Sequence, residues 1–201
     1  LTNGIFINAK GKRFVNEDSY GARIGYFCSQ QKNQKIYMVI QNEDFDPSIY
    51  MNKLPILAVA ENIDELEEEA GFESGSISST INEYNLFARN GEDQDFKKDP
   101  KWLKEFSKPP FAIIDYSFEN QASPAYSDKN GPLMFTLGGL ETLPTGEVLD
   151  VDGNVIPKLY AAGRTTAGLP RTGKGYASGM SVGDATFFGR MAGIYEAKNK
   201  F

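Results

Sequence analysis

The segment Gly173-Lys174-Gly175-Tyr176-Ala177-Ser178-Gly179-Met180-Ser181 gathers three hydroxyls, a cation and three glycines just ahead of a helix-like run. A glycine-rich loop lets a ligand approach the backbone. A helix N-terminus adds unpaired N–H groups and a partial positive charge. Together they suit an anion or a cofactor. The spacing is not that of a P-loop, because Gly-x-x-x-x-Gly-Lys-Ser/Thr is absent and no Gly-x-Gly-x-x-Gly follows a strand. A second reading gives the glycines at 183, 189 and 193 a packing role, letting the helix lie close to a sheet. The residues alone do not choose between the two.

What the chain lacks narrows the chemistry further. It contains no His, so no imidazole can act as base, proton shuttle or metal ligand, and a Ser-His-Asp or Cys-His arrangement is impossible within it. Cys28 is the sole cysteine, which excludes an intrachain disulfide and a thiolate cluster, fits a reducing, cytoplasmic setting, and reads as a small buried apolar residue. Asp150-x-Asp152-x-Asn154 resembles the start of a calcium loop. Such a loop needs Gly at 155 and a carboxylate at 161, where the chain has Val155 and Ala161, so the segment reads as a turn and no metal is expected.

The 201 residues carry 21 Lys and Arg against 27 Asp and Glu, a net charge of −6. An acidic chain is a poor partner for nucleic acid or an anionic membrane, and no apolar run approaches the roughly 18 residues that span a bilayer. The chain opens at Leu1 directly into a strand-like stretch, without the charged and apolar regions of a signal peptide, and reads as a fragment of a longer protein.

Several elements must position the loop. Residues 4–7 and 12–15 read as strands joined by the turn Asn8-Ala9-Lys10-Gly11, and 36–40 and 111–114 as two more. An acidic helix is expected over 62–70, with Glu67-Glu68-Glu69 as a solvated face. A second helix opens at Ser76, presents Ile77, Ile81, Tyr84 and Phe87 as one apolar stripe, and stops at Asn90-Gly91. Residues 92–110 read as loop with a helical turn near Trp102. Thirteen of the twenty glycines fall after residue 130. There, 148–151 and 155–156 form a hairpin around Asp152-Gly153-Asn154, Leu159-Tyr160-Ala161-Ala162 reads as a buried strand, and a helix follows from about Ser181 to Ala197 with Ser181-x-x-Asp184 as a capping box.

The ordered segments Gly138-Gly139-Leu140, Gly146-Glu147-Val148-Leu149-Asp150, Ile156-Pro157-Lys158-Leu159-Tyr160-Ala161-Ala162-Gly163-Arg164 and Gly183-Asp184-Ala185-Thr186-Phe187-Phe188-Gly189-Arg190-Met191-Ala192-Gly193 make the chain familiar. They resemble the C-terminal part of the FAD-dependent fumarate reductase and 3-ketosteroid dehydrogenase superfamily. Gly11-Lys12-Arg13-Phe14-Val15-Asn16-Glu17, and Tyr84-Asn85 with Gly91, Asp93, Asp95-Phe96 and Pro109-Pro110-Phe111, resemble that family's cap domain. The resemblance implies an α+β substrate-binding cap over residues 1–125, followed over 126–201 by the C-terminal part of an α/β, Rossmann-like FAD-binding domain. The N-terminal segment of that domain, with its dinucleotide motif, would lie elsewhere in a longer chain. FAD would be held in part by Gly163, Arg164, Gly179, Met180 and Ser181. Arg164 stands where many relatives have Glu or Asn.

Fumarate reductases of this family carry a His before Thr-x-Gly-Gly and an Asn-Arg-Leu-Gly-Gly-Asn segment. Here the corresponding stretches are Leu133-Met134-Phe135-Thr136-Leu137-Gly138-Gly139 and Gly175-Tyr176-Ala177-Ser178-Gly179, with neither His nor Arg. A dicarboxylate needs fixed cations, so the resemblance leans to 3-ketosteroid 4-dehydrogenases, whose Tyr and Ser hydroxyls lie near the flavin. It implies Ser178, assisted by Tyr176, in proton transfer, and Tyr20 closing or polarising the site from the cap. The expected partner is a small hydrophobic ketone such as a steroid. Arg171 and Lys174 keep an unsaturated acid as the runner-up, and a non-catalytic binding module is the alternative from another class. Taken by itself, the fragment is expected to be inactive, to lack FAD and to self-associate.

Overall fold

The computed structural model describes residues 3–45, 54–120, 137–169 and 172–198. The chain divides into two compact units, Leu1–Leu133 and Met134–Phe201. The expected boundary at 125/126, the stretch Leu133-Met134-Phe135-Thr136 and Arg171 lie outside the described residues.

The first unit is built on four antiparallel strands: β1 (Ile5–Asn8), β2 (Ile36–Gln41), β3 (Ile56–Ala60) and β4 (Phe111–Asp115), in the order β1-β2-β4-β3. Val39 of β2 faces Ile5 on one side and Ile113 on the other. Side chains alternate between the faces of a strand. Ile5, Ile7, Val39 and Ile113 accordingly enter one core, with Leu66 of α2 (Ile63–Glu69) and Ile77, Ile81 and Tyr84 of α3 (Ser76–Asn90). Phe6, Met38, Ile40 and Ile114 enter a second core with Ile24 and Cys28 of α1 (Gly21–Ser29). Both faces of the sheet are covered, which is why Ile36-Tyr37-Met38-Val39-Ile40 is an unbroken apolar run and not an alternating one. Removing one such side chain, as in Ile113→Ala, costs about 2–5 kcal/mol. Burial also pushes the Cys28 thiol up to about 12, which keeps it protonated and unreactive.

Three expectations for this unit need correction. Residues 12–15 do not form a strand. The pairing stops at a single bridge, Ile7 to Arg13, because Asn8 Oδ1 accepts from the Lys10 and Lys12 amides and folds the chain into a turn, and Arg13 is drawn into an ion cluster. Glu67 is not on a solvated face. It is 2% exposed and its carboxylate accepts from the Gly75 amide, from Ile77 N at 2.8 Å and from Ser78 N at 3.1 Å. It caps α3 from another helix, where Gly75 supplies no side-chain cap. Finally, α1 and β3 are elements the sequence reading lacked.

The ion cluster joins the two halves of the cap-like signature. Arg13 donates twice to Glu17, at 2.9 and 2.8 Å, and once to Asp93 at 2.8 Å. Lys98 Nζ lies 3.3 Å from Glu17 and donates to the Gly4 carbonyl at 2.9 Å. Burial disfavours the Arg13 charge, yet Glu17 and Asp93 outweigh it and the net shift is upward. Burial also works against the Asp93 charge, but Arg13 and the Phe96 and Lys98 amides hold its carboxyl below the ordinary range. For Lys98 burial wins and the ammonium is shifted down.

The second unit holds a hairpin of β5 (Glu147–Leu149) and β6 (Val155–Tyr160), and the helix α4 (Met180–Lys198). The separate, buried strand expected over 159–162 is instead the end of β6, and β6 is largely exposed. Among the described residues it pairs with β5 alone, in a two-stranded sheet.

Candidate functional site

The glycine-rich loop folds as a short 3-10 turn, Gly173–Gly175, whose preceding Thr172 hydroxyl accepts from Gly175 N at 3.2 Å. The chain then extends through Tyr176, and Gly179 at φ +87° turns it into α4. Nothing among the described residues lies within 4 Å of the Cβ that a larger residue would carry at 179. The backbone at Gly179 is thus open, and Met180 N at the head of α4 donates to the Ala177 carbonyl at 3.3 Å.

Tyr176 is buried at 6% exposure, and its hydroxyl is hydrogen-bonded to Ser181 Oγ on the first turn of α4. Ser178, between them, is exposed. Gly163 is buried at φ +73°, and a Cβ there would stand 3.0 Å from the Ala185 Cβ, so this turn packs directly on α4. Arg164, next in the chain, is exposed, as is Lys174. Gly139 serves the same frame: a Cβ there would run into the Thr166 backbone, where Leu140 pairs with Thr166.

The capping box expected at Ser181-x-x-Asp184 does not form. Ser181 is taken by Tyr176, and Asp184 Oδ2 accepts from Leu169 N at 2.9 Å. Among the described residues, the α4 glycines make no close packing contact. A Cβ at 183 or 193 meets nothing described within 4 Å, and one at 189 only Ala162, at an ordinary 3.9 Å. Close approach to the helix falls instead to Gly163 and Gly146, where an added Cβ would stand 3.0 Å from the Ala185 Cβ and 2.8 Å from the Ala192 Cβ. The sequence reading places Asp184 in a capping box and not in the site, because its partner Leu169 lies fifteen positions away, beyond any local pattern.

The second unit therefore brings Tyr176, Ser181, Met180 and Gly179 together at one helix end, with Gly163 on the neighbouring turn. Tyr20 belongs to the first unit. It stands at the N-cap position of α1 and is 44% exposed. No group of three or more His, Cys, Asp or Glu that could hold a metal occurs among the described residues. Among the described residues, no helix is long and apolar enough to cross a membrane.

Residues 2–179 match the family described as FAD binding domain. Among curated proteins, the vinyl phenol reductase of Lactiplantibacillus plantarum is 34% identical over 77% of this chain and 29% of its own length. The 3-oxosteroid 1-dehydrogenase of Mycobacterium tuberculosis is 28% identical over 96% of this chain and 38% of its own. Among solved structures, the 3-ketosteroid-delta4-(5alpha)-dehydrogenase of Rhodococcus jostii RHA1, in complex with 4-androstene-3,17-dione, superposes with a TM-score of 0.77 at 35% identity, covering 98% of this chain and 39% of that one. The chain thus spans less than two fifths of the length of these relatives.

Proposed function

The chain belongs to the FAD binding domain family, and from that premise we propose that it forms the cap and the returning FAD-domain segment of a longer, FAD-dependent oxidoreductase. The reaction is hydrogen transfer at a carbon–carbon bond next to a carbonyl. The substrate is a 3-ketosteroid or a similar small hydrophobic ketone. The observation that carries this reading is the Tyr176-Ala177-Ser178-Gly179 loop at the head of α4, in a chain 35% identical to a dehydrogenase solved with a 3-ketosteroid.

The residues present fit FAD. The head of α4 is open backbone at Gly179, which a helix dipole makes favourable for negative charge. Gly163 lets the adjoining turn lie against the same helix. Gly163, Arg164, Gly179, Met180 and Ser181 would hold the flavin portion. When bound, FAD supplies the acceptor or donor of hydride. The protein's own part is proton handling. A phenol ordinarily near 10 is a poor base at neutral pH, so Tyr176 needs an oriented partner, and Ser181 orients its hydroxyl. Ser178, exposed two residues further on, is assigned the transfer of the substrate proton, assisted by Tyr176. Tyr20, on the cap, polarises the carbonyl or closes the site. The remainder of the FAD domain and the electron partner belong to the longer protein.

The test is an assay of the full flavoprotein against 3-ketosteroids and against unsaturated acids such as fumarate. Turnover with the ketosteroid is expected. Turnover confined to the acids would place the substrate in the other branch.

A further inference from the structure

Asp184 is the one buried side chain described on α4, a nineteen-residue helix. It is 4% exposed. Its Oδ2 accepts from Leu169 N at 2.9 Å, while its Oδ1 is buried and has no hydrogen-bond partner among the described residues. Asp184 lines a cavity of about 140 Å³ together with Leu140, Thr142, Pro144, Thr166, Gly168 and Phe188. No ion pair to Asp184 occurs among the described residues.

A buried carboxylate with one oxygen unsatisfied is an expensive way to hold one loop amide. Asn would accept the same Leu169 N–H without a buried carboxylate. The position of Asp184 gives the carboxylate a use. It lies one turn beyond Met180 and Ser181, and it adjoins Ala185, against which Gly163 packs. Its Oδ2 anchors the loop that continues from Gly163 and Arg164. One side chain thus ties together the two segments assigned to the flavin, and it sets a negative group behind the positive end of α4.

We propose that Asp184 is a positioning residue of the flavin site, fixing the Gly163–Leu169 loop on α4 through Oδ2 and lowering the flavin reduction potential through its carboxylate. The inference rests on the FAD reading above. A nearby negative group disfavours the added electrons of the reduced flavin, and the N-terminal helix dipole favours them. The carboxylate therefore tempers the dipole.

Two variants of the full flavoprotein separate the roles. Asp184→Asn keeps the shape and an oxygen for Leu169 N–H but removes the carboxylate. Its FAD content should match wild type, with a midpoint potential clearly more positive in spectroelectrochemical titration. Asp184→Ala loses the tie as well, and FAD should be retained about tenfold more weakly. An unchanged potential in Asp184→Asn would overturn the proposal, since a purely structural tie would not move it. Undiminished FAD retention in Asp184→Ala would do the same. Absence of flavin from the wild-type protein would instead overturn the FAD reading itself, and this proposal with it.

Discussion

The Tyr176 hydroxyl and Ser181 Oγ share a hydrogen bond across the entry to α4. This couples the proposed catalytic loop to the helix turn proposed to face the flavin. The phenol is buried, so its hydroxyl is held by a defined partner and not by bulk water. Removing the hydroxyl in Tyr176→Phe should lower turnover of the full flavoprotein by about 10²–10⁴-fold, the usual range for a lost acid–base group. FAD should remain bound, since the cofactor is gripped by other groups. Ser181→Ala should give a smaller loss per bound flavin, because it disorients the phenol without deleting it, and should also weaken the hold on FAD, to which Ser181 is assigned. Steady-state kinetics alongside flavin absorbance separate the two effects, and near wild-type turnover in Tyr176→Phe would remove Tyr176 from the chemistry.

Glu67 is the strongest prediction for stability. Three amides at the head of α3 depend on its carboxylate. Glu67→Ala leaves the amides of buried Ile77 and half-buried Ser78 without an acceptor, which should cost about 3 kcal/mol. For a unit of this size that is a fall in Tm of about 10 °C, readable by calorimetry. Glu68→Ala, one residue on and solvent-facing, should change Tm little.

Asp93 carries a pH signature. Its folded carboxyl lies below the ordinary range, despite opposing burial, through Arg13 and neighbouring amides. A group depressed on folding adds stability above its unfolded value, near 3.9, and loses it as pH falls through the folded value. The first unit should therefore weaken as pH drops below about 4. In Asp93→Asn that acid dependence should be reduced, at the expense of lower stability at neutral pH. A denaturant series across pH 2–7 checks this, and parallel curves for the two proteins would contradict it.

The 201 residues alone should neither retain FAD nor stay monomeric. Phe187 and Val182 of α4 and Leu159 of β6 are large apolar side chains left exposed. Uncovered apolar surface of that kind promotes association. Light scattering is expected to show oligomers and the visible spectrum no flavin. A monodisperse, yellow monomer would contradict both points.

Local periodicity made much of the first unit legible. The stripe Ile77, Ile81, Tyr84 and Phe87 and the run Ile36–Ile40 state their elements through spacing alone. By contrast, α1 carries only Ile24 and Cys28 as buried residues, contains two glycines and lacks a side-chain cap, so its pattern is too thin to read. The strand β3 sits at the sheet edge with most of its side chains exposed, so its apolar residues carried no alternating burial signal. Glu67 and the Arg13–Asp93 contact were invisible for another reason. Their partners lie 8 to 11 and 80 positions away, and no local rule tells a capping carboxylate from a solvated one. At the site, the loop and its hydroxyls were legible as a pattern. The pairing of Tyr176 with Ser181, and of Asp184 with Leu169, depends on how the loop turns into the helix.

The most direct test is an anaerobic titration of the full flavoprotein with a 3-ketosteroid, followed by flavin absorbance. Full bleaching by a saturated 3-ketosteroid, or full reoxidation of the pre-reduced flavin by its unsaturated counterpart, is the predicted result, with the rate collapsing in Tyr176→Phe. A flavin spectrum that responds to neither steroid would contradict the central claim.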